Sequence, residues 1–269
     1  MKKKITTWTS FFKSKQGKRL FLIVLFAGLI VLPFVSNTLV KRIASTIFIY
    51  SLLSMGNMVI GGFTGMLNLG HAAFWGVGAY ITAILMTAYN VPFTIAFLAS
   101  GIGTALVGLL IAIPCLRLAT DFLSLITIAF SYVFLAIVRN WMSVTKGPQG
   151  IPGISCINFF GIDFKDPIAI YFVLLAITVL SYIIISNITK SKFGRAMQAT
   201  RDDELGARSA GIKPNQIKIL SFVIGTFFAG LAGALYAAYI GYIGPNTFTF
   251  DTSTTIFQMC ILGGLGSIP

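Results

Sequence analysis

The chain has 269 residues, 56% hydrophobic and 10% charged, with a formal net charge of +13 and a mean hydropathy of +0.88. Soluble domains carry about 25% charged residues, so an ordinary soluble enzyme is excluded, as is a disordered chain, which is poor in apolar residues. The 20 Lys and Arg against 7 Asp and Glu lie between apolar blocks rather than on one basic face, which is the layout of a polytopic membrane protein and not of a nucleic-acid-binding domain.

Eight uncharged apolar stretches follow in order: Leu20–Val40, Ile43–Ile60, Leu67–Ala88, Phe93–Leu116, Phe122–Val138, Ile168–Ile188, Ile219–Ile243 and Thr252–Ile268. A span needs about 20 apolar residues, and lipid leaves no partner for open backbone groups, so these stretches are expected to be helices. The alternation of a barrel strand is missing. The expected fold class is all-α, a transmembrane bundle of about eight spans forming one domain over 20–269, after a basic cytoplasmic segment 1–19. With the N-terminus inside, 15 basic residues face the cytoplasm and 5 (Lys41, Arg42, Arg139, Lys146 and Lys165) face outward, which follows the positive-inside rule. The Lys41–Arg42 pair runs against it. The external loop is then 139–167 and the long cytoplasmic loop 189–218.

The basic leader is long for a signal peptide, and no Ala-x-Ala site follows the first span. Cys115, Cys156 and Cys260 form no CxxC pair or metal spacing. No Asp, Glu, Lys or Arg sits in the middle of a span. That weakens a proton-coupled transporter, which needs a titratable group inside the bundle. No GxxxxGK[ST], HExxH or GxSxG occurs, so neither an ATP site of that type nor a familiar hydrolytic site is expected, and no catalytic or metal-ligating residue is assigned.

Two segments stand out. Gly61–Tyr80 reads GGFTGMLNLGHAAFWGVGAY, with glycines at 61, 62, 65, 70, 76 and 78. Each costs a helix about 1 kcal/mol against alanine, so a break is expected near residues 61–70. Asn68 is suited to cap a helix starting near Leu69, with His71, the only histidine, at that start. His71 either holds the break by a hydrogen bond, takes part in gating, or acts as a pH switch. The cytoplasmic loop Lys190–Lys218 has seven basic and three acidic residues. Short amphipathic helices are expected over 193–209, with Gly211 as the stop and Pro214 beyond it. It is either a docking element or a solvated loop on lipid headgroups. Further on, Gly225, Ala229, Gly233, Ala237 and Gly241 place small residues every four positions, which suits a helix packed at the bundle centre or one lining a path.

These segments resemble the permease subunits of branched-chain amino acid ABC importers. The resemblance is carried by LNLGHAAFWGVGAY at 67–80, FGRAMQATRDDELGARSAGI at 193–212, GTFFAGLAGALYAAYIGYIGP at 225–245 and the terminal ILGGLGSIP, and it looks closer to the LivM branch than to the LivH branch. It implies a second permease subunit as partner, two cytoplasmic ATPases that bind the ATP, an external solute-binding protein, and a bacterial or archaeal plasma membrane. It also implies that this chain binds no cofactor and no nucleic acid. An EAA-type coupling loop would comprise Arg201, Asp203, Glu204, Gly206, Ala207 and Gly211. Gly206 stands where alanine is more usual, and the Glu204–Gly211 spacing is one residue longer than the general pattern. The path would run beside Asn68, Gly70, His71, Phe74, Gly76 and Tyr80. Family members continue past GGLGSIP, so at least one more span is expected beyond Pro269.

The expected function is translocation of leucine, isoleucine or valine, driven by ATP hydrolysis on a separate subunit. The alternatives are a urea or short-amide importer, a secondary transporter or channel needing no ATPase, a membrane-embedded enzyme, and a structural scaffold.

Overall fold

A computed structural model describes residues 28–115, 122–159, 162–164, 166–264 and 266. After helical residues 28–35 come α1 (Thr38–Thr64), α2 (His71–Ala88), α3 (Phe93–Cys115) and α4 (Phe122–Asn140). They are followed by α5 (Pro167–Lys190), α6 (Lys192–Asp202), α7 (Glu204–Ser209), α8 (Pro214–Ile240) and α9 (Phe250–Gly263). Among the described residues, α1, α2, α3, α4, α5 and α8 are long and apolar enough to cross a membrane.

The all-α polytopic bundle is as the apolar blocks imply, but the span inventory changes at both ends. The stretch Leu20–Val40 is interrupted at Ser36–Asn37, where α1 takes over and runs on to Thr64. Its part before residue 28 lies outside the described residues, as do the basic leader, Arg117, Asp121 and Lys165. Of the stretch at Thr252–Ile268, in which 265 and 267–268 lie outside the described residues, the described residues give the 14-residue α9, about 21 Å long at 1.5 Å per residue. That is short of the roughly 30 Å hydrocarbon thickness.

α8 is the central helix, packed against α1, α2 and α3. Small residues set that contact. At Gly78 a Cβ would lie 2.4 Å from the carbonyl oxygen of Gly230, and at Gly225 2.6 Å from that of Gly56. At Gly233 it would lie 2.3 Å from the carbonyl oxygen of Trp75. Ala229 and Ala237 are fully buried on the same helix. Gly241 plays a different part from the packing expected of it: it is the left-handed residue that ends α8, at φ 74, a backbone conformation open chiefly to glycine. Gly230, outside the four-residue stripe, makes a close approach of its own, with a Cβ there 2.6 Å from the Ser100 carbonyl oxygen.

The loops at the ends of α3, α4 and α8 meet through two short antiparallel ribbons. β1 (Ile151–Pro152) pairs with β4 (Tyr242–Ile243), and β2 (Asn158–Phe159) with β3 (Ile162–Asp163). The first ribbon ties the 139–167 loop to the C-terminal end of α8. The opposite end of the bundle carries α6 and α7, each with a side-chain N-cap. Ser191 accepts from the N–H groups of Phe193 and Gly194, and Asp203 accepts from the N–H of Leu205.

Candidate functional site

α1 ends at Gly65, whose φ of 71 permits the turn. Residues 65–70 are non-helical and alternate in burial: Met66, Asn68 and Gly70 face inward, and Leu67 is exposed. α2 begins at His71, beside α1 and α8. A Cβ on Gly56 would lie 3.5 Å from His71 Nε2 and 2.8 Å from the Gly225 carbonyl oxygen. Gly56 is eight residues before the end of α1, about 12 Å along its axis, so α2 starts deep inside the bundle.

Backbone groups at that depth need partners, and side chains supply them. Leu69 N–H donates to Thr127 Oγ1 on α4 at 3.3 Å, Gly70 N–H to Asn68 Oδ1 at 3.1 Å and Ala72 N–H to Ser253 Oγ on α9 at 3.0 Å. Asn68 does not cap a helix from Leu69 as its position suggests. The cap residue is Gly70, and Asn68 bends back to hold the two residues beyond it. With Oδ1 engaged by Gly70, the Asn68 amide nitrogen lies 3.0 Å from His71 Nδ1. An amide NH2 only donates, so Nδ1 accepts and the ring proton sits on Nε2, facing α1.

The remaining path candidates are packed rather than open. Phe74 lies between Phe130 and Phe222. Gly76 leaves room for the rings of Phe134 and Phe248, and Tyr80 stands beside the same two rings. Among the described residues, five buried polar atoms have no hydrogen-bond partner: Asn57 Oδ1, His71 Nε2, Trp75 Nε1, Tyr80 Oη and Thr104 Oγ1. Three lie on α2 and one beside Gly56 on α1. Unpaired polar atoms in an apolar interior cost about 1–3 kcal/mol each. Asn57, Thr127 and Ser253 escaped the sequence reading. The first is an amide inside an apolar block, a visible signal; the other two matter only through tertiary proximity.

The loop residues form a second group at the end of the bundle. Asp203 is the N-cap of α7, Glu204 its first residue, and Ala207 its buried face. At Gly206 a Cβ would meet the Asp203 carboxylate at 2.6 Å, and Gly211 follows at φ 80. Glu204 accepts from Lys218 Nζ at 2.6 Å and from Arg208 Nη2 at 2.8 Å. The Lys218 hydrogen bond, with Arg208 adding to it, holds the Glu204 carboxyl below its ordinary range. Lys218 counts in the sequence only toward charge asymmetry, yet its side chain is 5% exposed and anchors the loop to α8.

The two groups are joined through Arg201. Its Nη1 donates to the Gly62 carbonyl oxygen at 2.7 Å, and its stem lies over Gly65, where a Cβ would sit 2.9 Å from Cγ. The last residue of the loop helix α6 but one therefore grips the C-terminal turn of α1, where the broken segment begins.

This architecture has relatives. The model of the branched-chain amino acid transport system / permease component family matches residues 39–269. The chain belongs to that family. It is 34% identical to the high-affinity branched-chain amino acid transport system permease protein LivM of Escherichia coli (strain K12), over 94% of this chain and 65% of that protein. The Pseudomonas aeruginosa permease protein BraD is 31% identical over 82% of this chain and 76% of its own length. Salmonella typhimurium LivH is 26% identical over the same shares. The chain thus spans less than two thirds of the LivM protein it matches. No solved structure matches it. Family membership and the six apolar helices among the described residues make it a multi-pass membrane protein.

Proposed function

We propose that this chain is one permease subunit of an ATP-binding-cassette importer for branched-chain amino acids. A second permease subunit, two cytoplasmic ATPases that bind the ATP and an external solute-binding protein complete the assembly. The N-terminus is cytoplasmic, which puts α6 and α7 inside and the β-ribbons outside. The carrying observation is the α6–α7 unit: it lies outside the spans, is fixed to α8 by Glu204–Lys218 and to α1 by Arg201, and presents Leu205, 75% exposed, on a charged surface. The exposed Leu205 side chain supplies an apolar contact for a docked ATPase, and the ties carry its displacement into the bundle.

In this reading ATP-driven closure of the ATPases pushes on α7. Arg201 passes the movement to Gly62–Gly65, and Glu204 passes it to α8. Movement of 65–70 against α4 and α9 then opens a route past Asn68, His71 and Trp75, where the unpaired His71 Nε2 and Trp75 Nε1 meet the carboxylate of the amino acid. The test is uptake by vesicles holding the chain with its companion subunits, comparing labelled leucine with urea. ATP-dependent leucine uptake is expected. Uptake of urea without leucine refutes the substrate, and uptake by this chain alone refutes the coupling.

A further inference from the structure

The Lys41–Arg42 pair is not used by this reading, and it lies at the bundle end that is otherwise poor in positive charge. It lines a groove of about 500 Å³ where the start of α1 meets the start of α5 and the end of α8. Thr38, Ser45, Thr46 and Tyr239 also line it. Lys41 is half-buried and Arg42 exposed. Among the described residues no carboxylate forms an ion pair with either. The nearby Asp166 has its Oδ1 engaged by Ile168 N–H at the start of α5. Two cations and four hydroxyls, with no acid in the lining, make a site for an oxyanion.

Depth and surroundings decide which oxyanion. The 27 residues of α1 span about 40 Å, longer than the roughly 30 Å hydrocarbon layer. Its fourth and fifth residues therefore sit at headgroup level. Beside them Leu39, Ile43 and Ile47 are more than half exposed, and Ile240 edges the groove, so it opens onto lipid-facing surface.

We infer that this groove binds the phosphodiester headgroup of an acidic phospholipid, with Lys41 and Arg42 as its counter-ions. In the proposed orientation the lipid belongs to the outer leaflet. Two basic residues at about 1 kcal/mol each correspond to about thirtyfold in affinity. The purified chain is titrated with phosphatidylglycerol, phosphatidylcholine and inorganic phosphate, reading bound lipid and oligomeric state by native mass spectrometry. Selective retention of phosphatidylglycerol is expected, weakened about thirtyfold in K41Q/R42Q and unchanged in K190Q/K192Q, whose basic pair lies at the opposite end. Equal retention by K41Q/R42Q overturns the site. Displacement by millimolar inorganic phosphate identifies a free-anion site instead. A shift from dimer to monomer in K41Q/R42Q, with lipid retention intact, makes the groove an interface between copies.

Discussion

Lys218 Nζ and Glu204 Oε2 stand 2.6 Å apart, joining the first turn of α8 to the first residue of α7. The lysine side chain is 5% exposed and the glutamate 34%, so a nearly buried cation holds a carboxylate at the surface of the bundle. The chemistry of the bond sets its pH response. Because Glu204 titrates below its ordinary value, the folded loop favours the ionised form. The stabilisation is complete above the ordinary carboxylate range and fades as pH falls through the lowered value.

Glu204→Gln keeps the size and removes the charge. It should loosen α7 by about 1–3 kcal/mol, since a buried ammonium loses its carboxylate. Hydrogen exchange of the α7 amides measures this, with faster exchange expected in the variant at pH 7. On acidification the wild-type protection, taken relative to the intrinsic exchange rate at each pH, should fall toward the variant's, and a variant that exchanges like wild type at pH 7 refutes the role.

Arg201→Lys keeps the charge but gives up the planar fork that reaches Gly62 while its stem covers Gly65. In the reconstituted importer, leucine uptake should fall several-fold while ATP hydrolysis continues. Equal loss of both would place Arg201 in assembly rather than in transmission.

Leu205→Asp tests the exposed residue of α7. The chain's own thermal unfolding should be unaffected, because a substitution at a 75% exposed side chain shifts stability by about 0.5 kcal/mol or less. Co-purification with the ATPase subunits should be lost. Retained co-purification would move the docking surface elsewhere.

Gly78→Ala sets a methyl group against the Gly230 backbone. Overpacking of this kind costs about 1–3 kcal/mol, read as a lowered unfolding midpoint in detergent. Gly263→Ala is the control, since nothing lies within 4 Å of its Cβ position and no positive φ is required; its midpoint should not fall.

Asn68→Ala removes the acceptor for Gly70 N–H and the donor to His71 Nδ1. Two hydrogen bonds at about 1 kcal/mol each give about 2 kcal/mol, measurable as faster exchange of the Gly70 amide and a lower unfolding midpoint. An unchanged Gly70 amide would show that another group holds the break.

The break itself was legible, because six glycines between two apolar blocks leave continuous helix at a disadvantage. Its details were not. Asn68 satisfies the local rule for a cap, but its two polar atoms are claimed by Gly70 and His71, and helix begins only at His71. The loop helices followed from the amphipathic pattern over 193–209 with Gly211 and Pro214 after it; the caps Ser191 and Asp203 emerged only in the structure. Lys218 could not be given its role from the sequence, since pairing with Glu204 requires the chain to turn back through Gly211 and Pro214. The small-residue stripe pointed to the central helix, yet missed Gly230, because which face is tightest depends on how α2 and α3 cross it. The last apolar stretch looked long enough to span because composition does not reveal where Gly264 stops α9.

The cap on Ala72 comes from Ser253, 181 positions later in the chain. As the ribosome delivers the spans in order, α1 and α2 enter the membrane well before that hydroxyl exists. The interrupted segment therefore reaches its final form only once nearly all of the described chain has been made.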